Sequence, residues 1–197
     1  MKNIMRITFA VIFLSVALSG CKKDKDTPNY LKIADTTTSL SWGDIVYYGT
    51  GAGWDGYGYQ IFLYPNTIIY DEGTDLWSGS GNYIMFELAS SLNNGAETGT
   101  YTFHLFDVLP ELSFDEYSFW TIDWNLASEQ YVYLNGGTLS IKNLDNDRYE
   151  ITFTGTDYAG NTIKAHFKGT LTFYDDSKKS MNTMVKPMQR GGFIQRN

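Results

Sequence analysis

The sequence predicts an all-β domain: an antiparallel β-barrel or flattened β-sandwich of about eight to ten strands, largely a meander. Three observations predict it. Beyond the N-terminal apolar run no stretch keeps a helical period, while short alternating runs recur along the chain. Gly and Asn punctuate those runs, where tight turns need them. The stretch Gly136–Asp176 alternates apolar and polar residues almost without error through three successive segments.

The first residues stand apart from that domain. Lys2 and Arg6 precede an apolar run, Ile7–Leu18, and small residues follow, so residues 1–20 read as a secretory signal peptide too short for a stable membrane span. Leu18-Ser19-Gly20-Cys21 resembles a bacterial lipobox. The resemblance implies cleavage before Cys21 and acylation of its sulfur and amino group, which together hold a protein durably on a membrane. Cys21 is the only cysteine, so no internal disulfide can form. Residues 21–38 are charged, contain Pro28 and lack an apolar pattern, as a flexible tether does. The charged run after Cys21 resembles the export signal of surface lipoproteins in some anaerobic Gram-negative bacteria. That likeness implies the outer membrane with the chain exposed at the surface, or alternatively on its periplasmic face.

A single all-β domain is expected over 39–176. Ile45–Tyr48 is a short strand, and the glycine-rich loop 49–56 follows. That loop lacks the Lys-Ser/Thr and the helix of a phosphate loop. Tyr57–Leu63, Thr67–Tyr70, Tyr83–Leu88, Gly99–Phe106, Tyr117–Trp124 and Tyr131–Leu134 are the further strand candidates. Asp71–Gly81, Ser90–Glu97 and Asp107–Glu116 are expected as loops.

In the last three strands parity dictates a register. If Tyr149, Ile151 and Phe153 share a face with Ile163, Ala165 and Phe167, opposed residue numbers must sum to an even value. A three-residue turn, Tyr158-Ala159-Gly160, satisfies this with Gly160 at positive φ. Tyr149 then opposes Gly169 and covers its bare backbone, Glu150 opposes Lys168, Leu139 opposes Phe153 and Ile141 opposes Ile151. The last strand is expected to run on from Thr162 to about Tyr174, bent at Gly169 as at a barrel corner. Residues 177–197 hold five basic residues and no acidic one, and read as a basic flexible tail.

Charge narrows the partners. The chain holds 15 basic and 22 acidic residues, and loss of residues 1–20 leaves a net charge of −9. No Lys or Arg occurs between Ile33 and Ile141, where 14 Asp and Glu lie. Such a body excludes nucleic acid and resists lying flat on an anionic membrane.

The templates for catalysis lack their residues. His104 and His166 fall on polar strand faces with no second histidine at ligand spacing, so they read as solvated, and no metal or other cofactor is expected. The cysteine is committed to lipid, and there is no Gly-x-Ser-x-Gly elbow. No spacing singles out a carboxylate pair, and Asp145-Asn146-Asp147 reads as a hairpin turn more than a calcium loop. Catalysis is therefore not expected.

The compositional signal is aromatic, with 15 Tyr, 12 Phe and five Trp. Flat rings stack on apolar sugar faces while carboxylates and amides bond hydroxyls. Trp54, Asp55, Tyr57, Asp75 and Trp77 lie in or beside the loops and form the candidate ligand-binding set, whereas Trp120 and Trp124 alternate on a strand and read as core. A non-catalytic module for a glycan or another polar ligand is the leading expectation. The alternatives are a structural or accessory envelope lipoprotein with protein partners, or a barrel holding lipid inside.

Tyr47-Tyr48-Gly49, Gly99–Phe103 and the ending Gly136-Gly137-Thr138, Tyr149-x-Ile151-x-Phe153, Asp157-x-x-Gly160-Asn161-x-Ile163 and Gly169 resemble a group of surface lipoproteins of gut anaerobic Gram-negative bacteria. The likeness covers about residues 40–175. It implies an exported all-β domain and supplies neither ligand nor catalytic residue, because its motifs are turn and pleat positions.

Overall fold

The computed structural model describes residues 27–178 apart from 52, 72–75, 106–107, 126–127, 129 and 146. The signal segment, Cys21 and residues 179–197 of the basic tail lie outside the described residues. Fifteen strands follow in order: β1 (Tyr30–Ile33), β2 (Thr36–Ser39), β3 (Trp42–Gly49), β4 (Tyr57–Tyr64), β5 (Ile68–Asp71), β6 (Leu76–Gly81), β7 (Ile84–Ser90), β8 (Gly99–His104), β9 (Ser113–Asp115), β10 (Phe119–Thr121), β11 (Trp124–Asn125), β12 (Tyr131–Asn143), β13 (Arg148–Asp157), β14 (Thr162–Thr170) and β15 (Thr172–Asp175).

The main sheet runs β15-β3-β4-β7-β9-β8-β12-β13-β14-β1-β2. β10 pairs with both β7 and β12, so β7, β9, β8, β12 and β10 close a five-strand barrel from which the other strands extend. Only a break at Leu171 separates β14 from β15, which pairs in parallel with β3 and brings the sheet round a second time. The corner therefore falls at Leu171, two residues past the expected bend at Gly169, which stays in the β13–β14 ladder, and the expected single strand from Thr162 to about Tyr174 is two strands. Gly43 lets the corner close: a Cβ there would collide with the Leu171 side chain.

The β13–β14 ladder has the register that parity dictates, with Tyr149 opposite Gly169, Ile151 opposite Phe167 and Phe153 opposite Ala165. Leu139 and Ile141 likewise oppose Phe153 and Ile151, and Gly160 has φ 83° in the three-residue turn. Tyr149, however, does not fill the space over Gly169. The Phe167 ring folds back over that glycine, and Tyr149 reaches instead toward Gly95.

Two apolar clusters sit on either side of the wall made by β3, β4, β7 and β10. The inner one fills the barrel with Ile45, Ile61, Phe86, Phe114, Leu139, Ile151, Phe153 and their neighbours. Phe86, Phe114 and Phe153 meet there with ring centroids 5.1–6.1 Å apart. Each such side chain contributes about 1.5–3 kcal/mol by leaving water. The outer cluster places Val46, Phe62, Tyr64 and Met85 under Ile68, Trp77 and Trp124 of a small sheet ordered β11-β6-β5.

Several expectations are corrected. β6 lies inside the expected loop Asp71–Gly81, and β9 inside the expected irregular segment Asp107–Glu116. Residues 30–33 and 36–38, assigned to the tether, lie in β1 and β2 of the sheet. His166 is not a solvated histidine. It keeps the outer face, but only 6% of it is exposed, because the arriving chain covers it: Tyr30 stacks on its ring at 6.2 Å and Pro28 O lies 3.1 Å from Nδ1.

Two buried carboxylates hold the barrel at its ends. Asp157 accepts from Trp120 Nε1 at 3.0 Å, Asn161 N at 2.8 Å and Asn161 Nδ2 at 2.9 Å. That accounts for Asp157 and Asn161 in the turn motif. Asp157→Ala strands three donors, one of them on a buried indole. It should lower stability by about 2–4 kcal/mol in a denaturant titration, and an unchanged midpoint would refute this role.

Asp44 lies in the closing seam opposite Thr172 and accepts from Tyr64 Oη at 3.1 Å. Burial pushes its carboxyl up to about 7, against the pull of hydrogen bonds from Tyr64 and Thr172. The folded state therefore binds a proton more tightly than the unfolded chain. The stabilisation is complete below pH 4 and is lost as pH rises through 7, a change on the order of 4 kcal/mol. Melting temperature should fall from pH 4 to pH 8, and Asp44→Asn should flatten that part of the profile.

Candidate functional site

The outer face of β3, β4 and β7 carries polar groups where the rest of the wall is apolar. Gln60 and Glu87 stand directly opposite one another on neighbouring strands. Tyr48 Oη donates to Gln60 Oε1 at 2.9 Å, and Gln60 Nε2 donates to Glu87 Oε2 at 2.9 Å. The hydroxyl, the amide and the carboxylate form one chain, and the acceptor at its end sets the direction of the amide. Tyr48, Gln60 and Glu87 are 6%, 1% and 9% exposed. Ser118 Oγ accepts from Glu87 N at 3.0 Å and fixes the backbone beneath. Burial is the main reason that the Tyr48 hydroxyl is pushed well above its usual range, with the charges of Glu87 and Asp176 adding to it.

The glycine-rich loop brings an aromatic ring to this chain. β3 leaves its ladder by a bulge between Tyr47 and Gly49, with Gly49 at φ 78°. The loop is pinned on the segment before β9: Asp55 N donates to Leu109 O at 2.8 Å, and Leu109 N donates to Gly53 O at 2.9 Å. Trp54 then lies flat against Gly58, where any Cβ would collide with its ring. It stacks on Tyr48 with centroids 6.1 Å apart and planes 10° apart, and it is half-buried.

The candidate residues fall in different places. Trp54 is at the site, and Asp55 is exposed beside it. Tyr57 points to the other side of the sheet, where it joins Tyr47 at 6.0 Å in a ring cluster that also takes in Tyr59 and Phe173. Trp77 shares the outer layer with Trp54 but is not presented to a ligand. It is 5% exposed, packed edge-on against Tyr64 at 5.6 Å and against Tyr70 at 4.9 Å. Asp75 lies outside the described residues. Trp120 and Trp124 are buried.

Tyr48, Gln60 and Glu87 were missed from sequence, yet a signal existed. β4 and β7 read YGYQIFLY and IMFELAS, nearly unbroken apolar runs. Such runs belong to strands covered on both faces, and the only strongly polar residues within them are Gln60 and Glu87. Chemically, Trp54 can stack on an apolar face, and the buried chain Tyr48–Gln60–Glu87 holds the Tyr48 ring against which it lies. Among the described residues no three His, Cys, Asp or Glu side chains converge as a metal set. Compared with known proteins, the chain matches no family model, no curated protein and no solved structure.

Proposed function

We propose that the chain is an exported, lipid-anchored, non-catalytic binding module that holds a glycan, or a similarly hydroxyl-rich polar ligand, on the outer face of the barrel. The observation that carries this reading is the half-buried Trp54 ring beside the buried chain Tyr48–Gln60–Glu87. A pyranose offers an apolar face to an indole and hydroxyls to a carboxylate; Trp54 supplies the ring, the exposed Asp55 beside it the carboxylate, and the buried chain beneath holds the ring's partner Tyr48 in place. The elements around it, β3, the loop 49–56, β4, β7 and β10, come from the span without Lys or Arg. That favours a neutral ligand over one bearing carboxylate or sulfate. Anchoring at Cys21 supports a role in capture at a membrane surface.

Calorimetric titration with neutral and uronic-acid oligosaccharides tests this. Neutral sugars should bind, and Trp54→Ala should weaken them at least about tenfold, equivalent to about 1.4 kcal/mol. Gly58→Ala keeps the indole but displaces it, and should weaken binding in the same direction. Trp77→Ala should leave affinity unchanged while lowering stability by about 3–5 kcal/mol. Equal affinity in wild type and Trp54→Ala would place the ligand elsewhere.

A further inference from the structure

The described Lys and Arg residues are Lys32, Lys142, Arg148, Lys164, Lys168 and Lys178, all exposed. Five of these six lie on one wall. Lys32 opposes Lys164 across β1 and β14. Lys168 opposes Glu150, which opposes Lys142, across β14, β13 and β12. Arg148 opposes Thr170 one row further along. Side chains two apart on a strand share a face, so these five cations line the outer surface of four adjacent strands. Glu150 is the acidic residue among them, 3.4 Å from Lys142 Nζ and 3.8 Å from His166 Nε2. Asp35, Asp145 and Asp147 sit in turns at the ends of the wall.

The Trp54 site is on the far side. Phe86 of β7 touches Phe153 of β13 across the core at 5.1 Å, so the outer faces of these two strands point in opposite directions. One flank of the barrel therefore carries five of the six described cations; the sixth, Lys178, follows Ser177, which lies beside Gly49 at the end of β3.

The chain also arrives at the basic wall. Asn29 docks on β14 by its amide, donating from Nδ2 to Lys168 O at 3.3 Å and accepting from Lys168 N at 2.7 Å. Pro28 and Tyr30 cover His166 between Lys164 and Lys168. Six residues separate Cys21 from Pro28, and the seven steps between them reach at most about 25 Å when fully extended.

We propose that the wall of β1, β14, β13 and β12 is the face this protein lays against the phosphate headgroups of its membrane, with the Trp54 face turned outward. The proposal rests on the anchoring at Cys21 given above. A body of net charge −9 is repelled by an anionic surface in most orientations. Among the described residues the wall of five cations is where the repulsion becomes attraction, and the short link from Cys21 delivers that flank to the surface. Each cation near an anionic leaflet favours contact about fivefold, within a Debye length.

Orientation can be read directly. The mature chain is coupled through Cys21 to a maleimide lipid in vesicles containing phosphatidylglycerol, which makes the experiment independent of cellular acylation. A fluorophore is placed through an azido amino acid at exposed Thr154 on the wall, or at exposed Asp55 on the opposite flank. Energy transfer to headgroup-labelled lipid is then measured for each. Transfer from position 154 should exceed that from position 55 about twofold or more at low salt, and the difference should shrink in high salt. It should also collapse in Lys32→Glu/Lys164→Glu/Lys168→Glu, whose unchanged circular dichroism and melting curve show that it folds. Equal transfer from the two positions, or a difference that survives the triple substitution, overturns the proposal. The mass of the Cys21 peptide from bacterial membranes tests the anchoring separately. Loss of sugar binding by Trp54→Ala bears on the ligand site alone.

Discussion

A strand with water on one side can alternate polar and apolar residues, but a strand covered on both sides must make every buried polar group meet a partner. β4 and β7 are under that constraint. The barrel core lies on one face and the layer of β5, β6 and β11 on the other. Every residue of β7 is buried, and all of β4 but its first. The polar chain Tyr48–Gln60–Glu87 exists because these strands had to satisfy an amide and a carboxylate internally. Its place beside Trp54 follows from where the outer layer stops. Ile68, Trp77 and Trp124 roof one end of the wall, and the loop 49–56 reaches the end they leave open.

What the sequence made legible was the one-sided part of the barrel. β12, β13 and β14 have a wet face rich in Thr and Lys, so their period is plain, and a parity rule with one glycine turn was enough to set the register. Strands that are short, lack alternation or pair far along the chain were harder to see. β6 carries LWSGSG, whose Gly and Ser read as a loop, yet Trp77 pins it to the wall by contact with Tyr64 and Tyr70. β9 is three residues long and pairs in parallel with β8, which local periodicity does not announce. β1 looked like tether because YLKI is short and charged neighbours flank it. Its partner β14 lies more than a hundred residues away.

The site was legible in part, for a similar reason. Trp54 was singled out by its glycine-rich surroundings, and those same glycines give it the flat seat at Gly58. Trp77 had the same surroundings and a different outcome, because only three-dimensional packing tells an indole over bare backbone from one under other rings. His166 was placed on the correct face, but the residues that bury it, Pro28 and Tyr30, come from the other end of the chain. The gathering of Lys32 with Lys164 and Lys168 was equally out of sight of any local reading.

The pairing of Tyr30 with His166 and of Asp44 with Thr172 gives the barrel a particular order of assembly. Contacts this far apart in sequence form only after the intervening chain has been organised, which makes closure a late event. For a chain that emerges N-terminus first, β1 and β3 are available from the start but have no neighbours on their β14 and β15 sides until the last strands arrive. Until then the edges of β1 and β3 are open to other chains. The short, threonine-rich β2 covers one side of β1. The final strands do more than complete the sheet: they end the interval in which the protein is most able to associate wrongly.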